Sequence, residues 1–208
     1  MSPAPLTWVV GAGGLLGSSL ARRLPAGQVW RPRTPVAWGL PTTADQLATA
    51  ATEFLGAAAD GPWQVAWCAG SGVTASAAEA LALQAAELDP VLRVLSTAPD
   101  PVRGGLFLAS SAGGVYAGSH GAPFDERTPA AAISPYGEAK LGLEVRLRDW
   151  HHETGIPVLV GRIANLYGPG QNLGKAQGLI SQVIRAHLLG RPISIYVCLL
   201  YTSDAADE

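Results

Sequence analysis

A short apolar run at residues 7–10, Thr-Trp-Val-Val, leads straight into the turn GAGGLLG at 11–17, and a helical stretch follows over 18–24. Strand, glycine turn and helix in that order leave a chain few architectures. In such a unit the first glycine allows the tight turn, the next lets backbone approach a pyrophosphate, and the last permits the helix to pack closely on the strand. The helix N-terminus then presents unpaired N–H groups and the positive end of its dipole to the phosphates. Gly11, Gly13, Gly14, Leu15, Leu16 and Gly17 are therefore candidate cofactor-binding residues. The spacing Gly11, Gly14, Gly17 departs from the G-x-G-x-x-G of the usual dinucleotide fingerprint.

The rest of the chain alternates strand-like and helix-like segments, which predicts one doubly wound parallel sheet of Rossmann type with helices on both faces. Strands are expected at 7–10, 28–30, 36–38, 63–68, 106–109 and 158–163. Thr42 and Asp45 have the spacing of a capping box for an Ala-rich helix running to about Ala59. Residues 77–95 read as helical, with Pro90 either kinking the helix or beginning a new one. Ser134 is placed to cap a helix that tolerates Pro135 in its first turn. The segment 31–41, with Pro32, Pro35 and Pro41, is the most loop-like stretch.

That Ser134-capped helix carries the second constraint. Only two lysines occur in the 208 residues, and Lys140 lies four places after Tyr136 in SPYGEAK. Residues i and i+4 share a helix face, and a fixed positive charge beside a phenol favours the phenolate, bringing it closer to acid/base work near neutral pH. Two further blocks follow strands: SSAGGVY at 110–116 and GRIANLYGPGQ at 161–171. Taken in order, Gly-x-x-Gly-x-x-Gly, the strand-end serines, Tyr-x-x-x-Lys and the R-x-x-N-x-Y-G-P-G-Q block resemble the extended, nucleotide-sugar-modifying branch of the short-chain dehydrogenase/reductase superfamily, the NAD-dependent epimerase/dehydratase type. The resemblance spans roughly residues 7 to 196.

The resemblance implies a Ser-Tyr-Lys triad of Ser111, Tyr136 and Lys140, with Ser110 as the alternative serine because the extra glycine leaves the register open by one residue. It implies hydride transfer with Tyr136 as acid/base, Lys140 at the nicotinamide ribose, Ala69 and Gly70 on the cofactor, and Ser110 and Asn165 beside a nucleotide-sugar substrate. After the second strand the chain offers Arg31 and Arg33 and no acid between Arg22 and Asp45, which favours NADP over NAD. In the dTDP-glucose 4,6-dehydratase type an Asp-Glu pair follows the triad residue; Ala112 and Gly113 stand there instead, leaving epimerisation or carbonyl reduction. A non-catalytic dinucleotide-binding regulator is the alternative from another class. A homodimer of the full-length protein is compatible with the resemblance.

Charged residues make up 14% of the chain and the net charge is -2, so there is no basic footprint for nucleic acid. No apolar run approaches membrane-spanning length and no signal peptide is evident, which predicts a cytoplasmic protein. Cys68, Cys198 and the four histidines lack metal-ligand spacing, and Cys68 reads as a core residue. The expected divisions are a dinucleotide-binding domain at 1–175, the start of a substrate lobe at 176–197, and a tail at 198–208. The tail reads either as an in-frame translation of a transposase-type sequencing adapter, with most of the substrate lobe missing, or as a frayed acidic end.

Overall fold

The computed structural model describes residues 3–72, 76–174 and 179–192. Its contacts divide the chain into two units, Met1–Ala164 and Asn165–Glu208. The first holds one parallel sheet of β1 (Leu6–Val10), β2 (Val29–Trp30), β3 (Trp63–Trp67), β4 (Leu106–Ser111) and β5 (Val158–Ile163), in the order β2-β1-β3-β4-β5. The chain steps outward from β1 to β2, then crosses back to β3, β4 and β5. Winding therefore reverses at β1, and the crevice beyond the carboxyl ends of β1 and β3 is where such sheets bind ligands.

Among the described residues six α-helices accompany the sheet: α1 (Leu15–Arg23), α2 (Thr43–Ala58), α3 (Ala78–Ala86), α4 (Asp89–Leu95), α5 (Ala112–Val115) and α6 (Pro135–Thr154). Right-handed crossovers put α1 on one face and α2, α3, α4 and α6 on the other. The packing of α2 on α4 and of α3 on α6 agrees. The core lies on that second face. Trp8, Val10, Val65, Trp67, Leu106 and Leu108 from the sheet meet Leu47 and Phe54 of α2, Val91 and Leu95 of α4, and Leu143, Leu147 and Trp150 of α6. Trp8, Trp30, Phe54 and Trp63 interlock with ring centroids 5.4–6.1 Å apart, geometry that rings prefer to face-to-face stacking. The fold is the doubly wound Rossmann type that the sequence predicts.

Two local expectations fail. Residues 36–38 form no strand, because their backbone is already engaged: Ala37 N–H donates to Gln46 Oε1 (2.7 Å) and the Ala37 carbonyl accepts from Thr43 Oγ1 (2.7 Å). The capping box at Thr42 and Asp45 does not form either. A capping residue needs extended backbone, whereas Thr42 is helical (φ -84°, ψ -5°), and buried Thr43 instead accepts from Leu40 N–H (3.0 Å). Pro90 begins a new helix, α4, rather than kinking one, since a first-turn N–H has no intrahelical partner to lose. Ser134 caps α6 as expected, accepting from Gly137 N–H (3.2 Å), and the helix ends at left-handed Gly155.

The second unit contains α7 (Leu179–Leu188), on which Leu179, Val183 and Ile184 are exposed and Ile180 is half-buried. Residues 175–178 and 193–208, including the tail expected at 198–208, lie outside the described residues. Among the described residues no helix is long and apolar enough to cross a membrane.

Candidate active site

The glycine turn joins β1 to α1 under tight steric control. Gly11 has φ +84°, and a Cβ built there would lie 2.7 Å from the backbone nitrogen of Ala69; only glycine satisfies both conditions. A Cβ at Gly17 would collide with the Gly11 carbonyl, so α1 can sit this close only with glycine at 17. Gly14 N–H closes the turn on Gly11 O (3.0 Å). Gly13, exposed like Gly14, differs from all three in that a Cβ there would meet nothing within 4 Å. Gly14 caps α1 without a side chain, and the first turn holds no acid. The N–H groups of Leu15, Leu16 and Gly17 thus begin a helix whose positive end has no acid of its own first turn beside it.

Because Gly11 abuts Ala69, the turn shares a wall with what lies beyond β3. A cavity of about 60 Å³ there is lined by Trp67, Ala69, Gly70, Gln84, Tyr136 and Lys140 among others. Tyr136 and Lys140 reach it from one face of α6, the Lys140 ammonium 5.7 Å from the Tyr136 ring centroid. Lys140 Nζ donates to the Ala109 carbonyl of β4 (3.2 Å). Burial lowers the proton affinity of this amine, and the negative Glu144 carboxylate opposes that. Tyr136 is held against α5 by two glycines: a Cβ at Gly137 would strike the Gly114 carbonyl, and one at Gly114 would stand 3.1 Å from the Tyr136 ring.

The two strand-end serines have different surroundings. Ser111, the last residue of β4, is half-buried and accepts from Gly114 N–H (3.2 Å), and its hydroxyl donates to no acceptor among the described residues. Among the described residues it is not one that lines the cavity. Ser110 is 5% exposed and donates to Glu144 Oε1 (2.5 Å). Arg31 and Arg33 are exposed just past β2 and make no hydrogen bond or ion pair among the described residues. Asn165 is exposed and opens the second unit.

The sequence reading assigned no individual role to Glu144, Arg162 or Tyr116, yet hydrogen bonds join them in one polar cluster. Arg162 grips Glu144 with Nη2–Oε2 at 2.6 Å and Nε–Oε2 at 3.1 Å, and its Nη1 donates to Tyr116 Oη (2.6 Å). Tyr116 Oη passes a bond on to the Asp125 carbonyl (2.9 Å). The hydrogen bond to Glu144 raises the proton affinity of Arg162 further, fixing its charge. One signal was visible in the sequence: Glu144 follows Lys140 by four places, as Lys140 follows Tyr136. Burial pushes the Cys68 thiol up to about 11, which leaves it protonated and unreactive at neutral pH. Among the described residues no group of three or more His, Cys, Asp or Glu could hold a metal ion.

A strand-end glycine turn sharing a wall with a Tyr-x-x-x-Lys face narrows the relatives, and a family model for the NAD dependent epimerase/dehydratase family matches residues 7–204. The chain belongs to that family. Within the NAD dependent epimerase/dehydratase family, the dTDP-glucose 4,6-dehydratase of Xanthomonas campestris pv. campestris is 40% identical over 73 residues, 35% of this chain and 20% of the relative. Two solved UDP-glucose 4-epimerases share the fold. One, from Thermotoga maritima with UDP-glucose, has a TM-score of 0.71 at 21% identity over 92% of this chain; the other, from Thermus thermophilus with NAD, has 0.68 at 22% over 92%. The chain spans 65% of each of these two structures. A dinucleotide fits the residues present: Gly13 borders open space, the α1 N-terminus has no side-chain cap, and Gly11 and Gly17 bring the backbone to the mouth of the crevice.

Proposed function

We propose that the protein is an NAD(P)-dependent epimerase or reductase acting on a nucleotide sugar, with Ser111, Tyr136 and Lys140 as its catalytic residues. One observation carries the reading: Tyr136 and Lys140 line the cavity whose Ala69 wall also abuts the glycine turn. Gly11, Gly13, Gly14, Leu15, Leu16 and Gly17 would hold the pyrophosphate of a dinucleotide, and Ala69, Gly70 and Lys140 would lie along its nicotinamide half. When bound, that cofactor supplies a hydride acceptor and donor. Tyr136 takes the proton from a substrate hydroxyl and returns it to a carbonyl oxygen, with the Lys140 ammonium beside its ring. Ser111 donates its hydroxyl proton to the same substrate oxygen, while Ser110, committed to Glu144, supports the site from below.

Ala112 and Gly113 of α5 bear no proton-carrying side chain, which supports epimerisation or carbonyl reduction over water elimination. Arg31 and Arg33, exposed and without a hydrogen bond or ion pair among the described residues, suit a 2′-phosphate, so NADP is the favoured dinucleotide. The test is turnover of a panel of nucleotide sugars by the complete gene product, read by reduced-nicotinamide absorbance and product identity. Tyr136→Phe should reduce turnover by a factor on the order of 10²–10⁴ and leave dinucleotide affinity nearly unchanged. Wild-type turnover in Tyr136→Phe would overturn the assignment.

A further inference from the structure

The catalytic face of α6 extends one turn past Lys140. Tyr136, Lys140 and Glu144 recur at four-residue spacing, so each stands over the next on one side of the helix. Glu144 has only 11% of its side chain exposed, and three hydrogen-bond donors converge on its carboxylate: the Ser110 hydroxyl and the Nε and Nη2 groups of Arg162. Those donors come from neighbouring strands in register, Ser110 of β4 opposite Arg162 of β5. The same stretch of β4 supplies the Ala109 carbonyl that receives the Lys140 ammonium. One largely covered carboxylate therefore ties α6 to both strands at the level of the lysine's own anchor.

We propose that Glu144 is a positioning residue for Lys140: it fastens α6 to β4 and β5 through Ser110 and Arg162, and supplies the counter-charge that keeps the neighbouring ammonium charged beside the cavity. The proposal rests on the reading of Lys140 as the working cation of the site. A buried ion pair by itself is weak evidence of stabilisation, because desolvation offsets the attraction. What marks this one is its address, one helical turn from an amine that burial would otherwise drive toward its neutral form. The titratable groups around that amine are few. Tyr136 and Glu144 share its helix and Arg162 approaches Glu144 from β5, whereas the residues lining the cavity from β3, α3 and the segments after them carry no charge. Loss of the Glu144 charge would leave Lys140 with burial and the Arg162 cation, both favouring the neutral amine.

Competitive acylation of the folded protein reads this directly, because only neutral amines react and the chain has only two lysines, Lys140 and Lys175. Labelling of the two peptides is followed against pH by mass spectrometry, with neither cofactor nor substrate present. In Glu144→Gln the Lys140 midpoint should move down, and the Lys140-to-Lys175 labelling ratio near pH 8 should rise on the order of tenfold, as expected when an opposite charge one helical turn away is lost. Glu144→Asp, which keeps the charge but withdraws it by one methylene, should move the midpoint the same way by less. A purely structural role predicts the opposite sign, since loosening the site would return Lys140 toward an ordinary lysine. An unchanged or raised midpoint in Glu144→Gln with native near-UV dichroism overturns the proposal. Should that variant lose its native dichroism, a wild-type midpoint in Glu144→Asp overturns it instead. Failure here leaves the Tyr136 assignment standing, because turnover in Tyr136→Phe tests that separately.

Discussion

Gly11 and Gly13 stand two residues apart in one turn and answer to different constraints. Gly11 is fixed by its own fold, with φ +84° and a backbone wall 2.7 Å from any Cβ, so Gly11→Ala should destabilise by about 1–3 kcal/mol and lower Tm by on the order of 5 °C. Gly13 borders open space, and Gly13→Ala should leave Tm unchanged to about 1 °C; calorimetry of the two variants checks the contrast. Cys68 gives a second residue-scale test. With its thiol pushed up to about 11 from 9.0, the native thiolate fraction near pH 8 is roughly a hundredth of that in the unfolded chain, and alkylation of the Cys68 peptide should slow accordingly. Native labelling should accelerate as pH climbs toward 11. Equal rates in native and denatured protein would contradict the burial argument. The glycine spacing and the Tyr-Lys pair were legible because each is a local pattern. The different surroundings of Ser110 and Ser111 were not, since Ser110 donates to a carboxylate 34 residues away.

Elements were legible where one periodicity ruled and obscure where side chains competed with the backbone. Five expected strands exist within a residue or two, and the alternation in β4, with Leu106, Leu108 and Ser110 buried, follows from one face meeting the core. The sixth fails because Gln46 and Thr43 take the hydrogen bonds of Ala37, partners nine and six residues on that no strand propensity registers. The capping signals at Thr42 and Ser134 look alike in sequence, and only Ser134 has the extended backbone (φ -139°, ψ 153°) that lets its oxygen turn back on the helix. Ser134→Ala should therefore cost about 1 kcal/mol and lower Tm by about 2–4 °C, whereas Thr42→Ala should leave Tm nearly unchanged. Equal losses in thermal melts of the two variants would contradict the distinction.

Over the whole molecule, sheet order turns separate motifs into one site. The reversal of winding at β1 sets β1 beside β3, so the turn at Gly11 meets Ala69, and β4 beside β5, so Ser110 faces Arg162. Motif order along the chain foretold the first juxtaposition through the family resemblance. The second joins three elements and surfaced only with the strand register. If the β1–α1 turn and the Tyr136–Lys140 cavity form one dinucleotide site, equilibrium titration with NADPH and NADH will reveal it. Folded wild-type protein should bind NADPH saturably and more tightly than NADH, and Gly13→Ala, with wild-type Tm, should bind on the order of tenfold more weakly, because its methyl group would occupy backbone space reserved for the phosphates. Folded protein that binds neither dinucleotide, or a Gly13→Ala variant that binds as tightly as wild type, would contradict it.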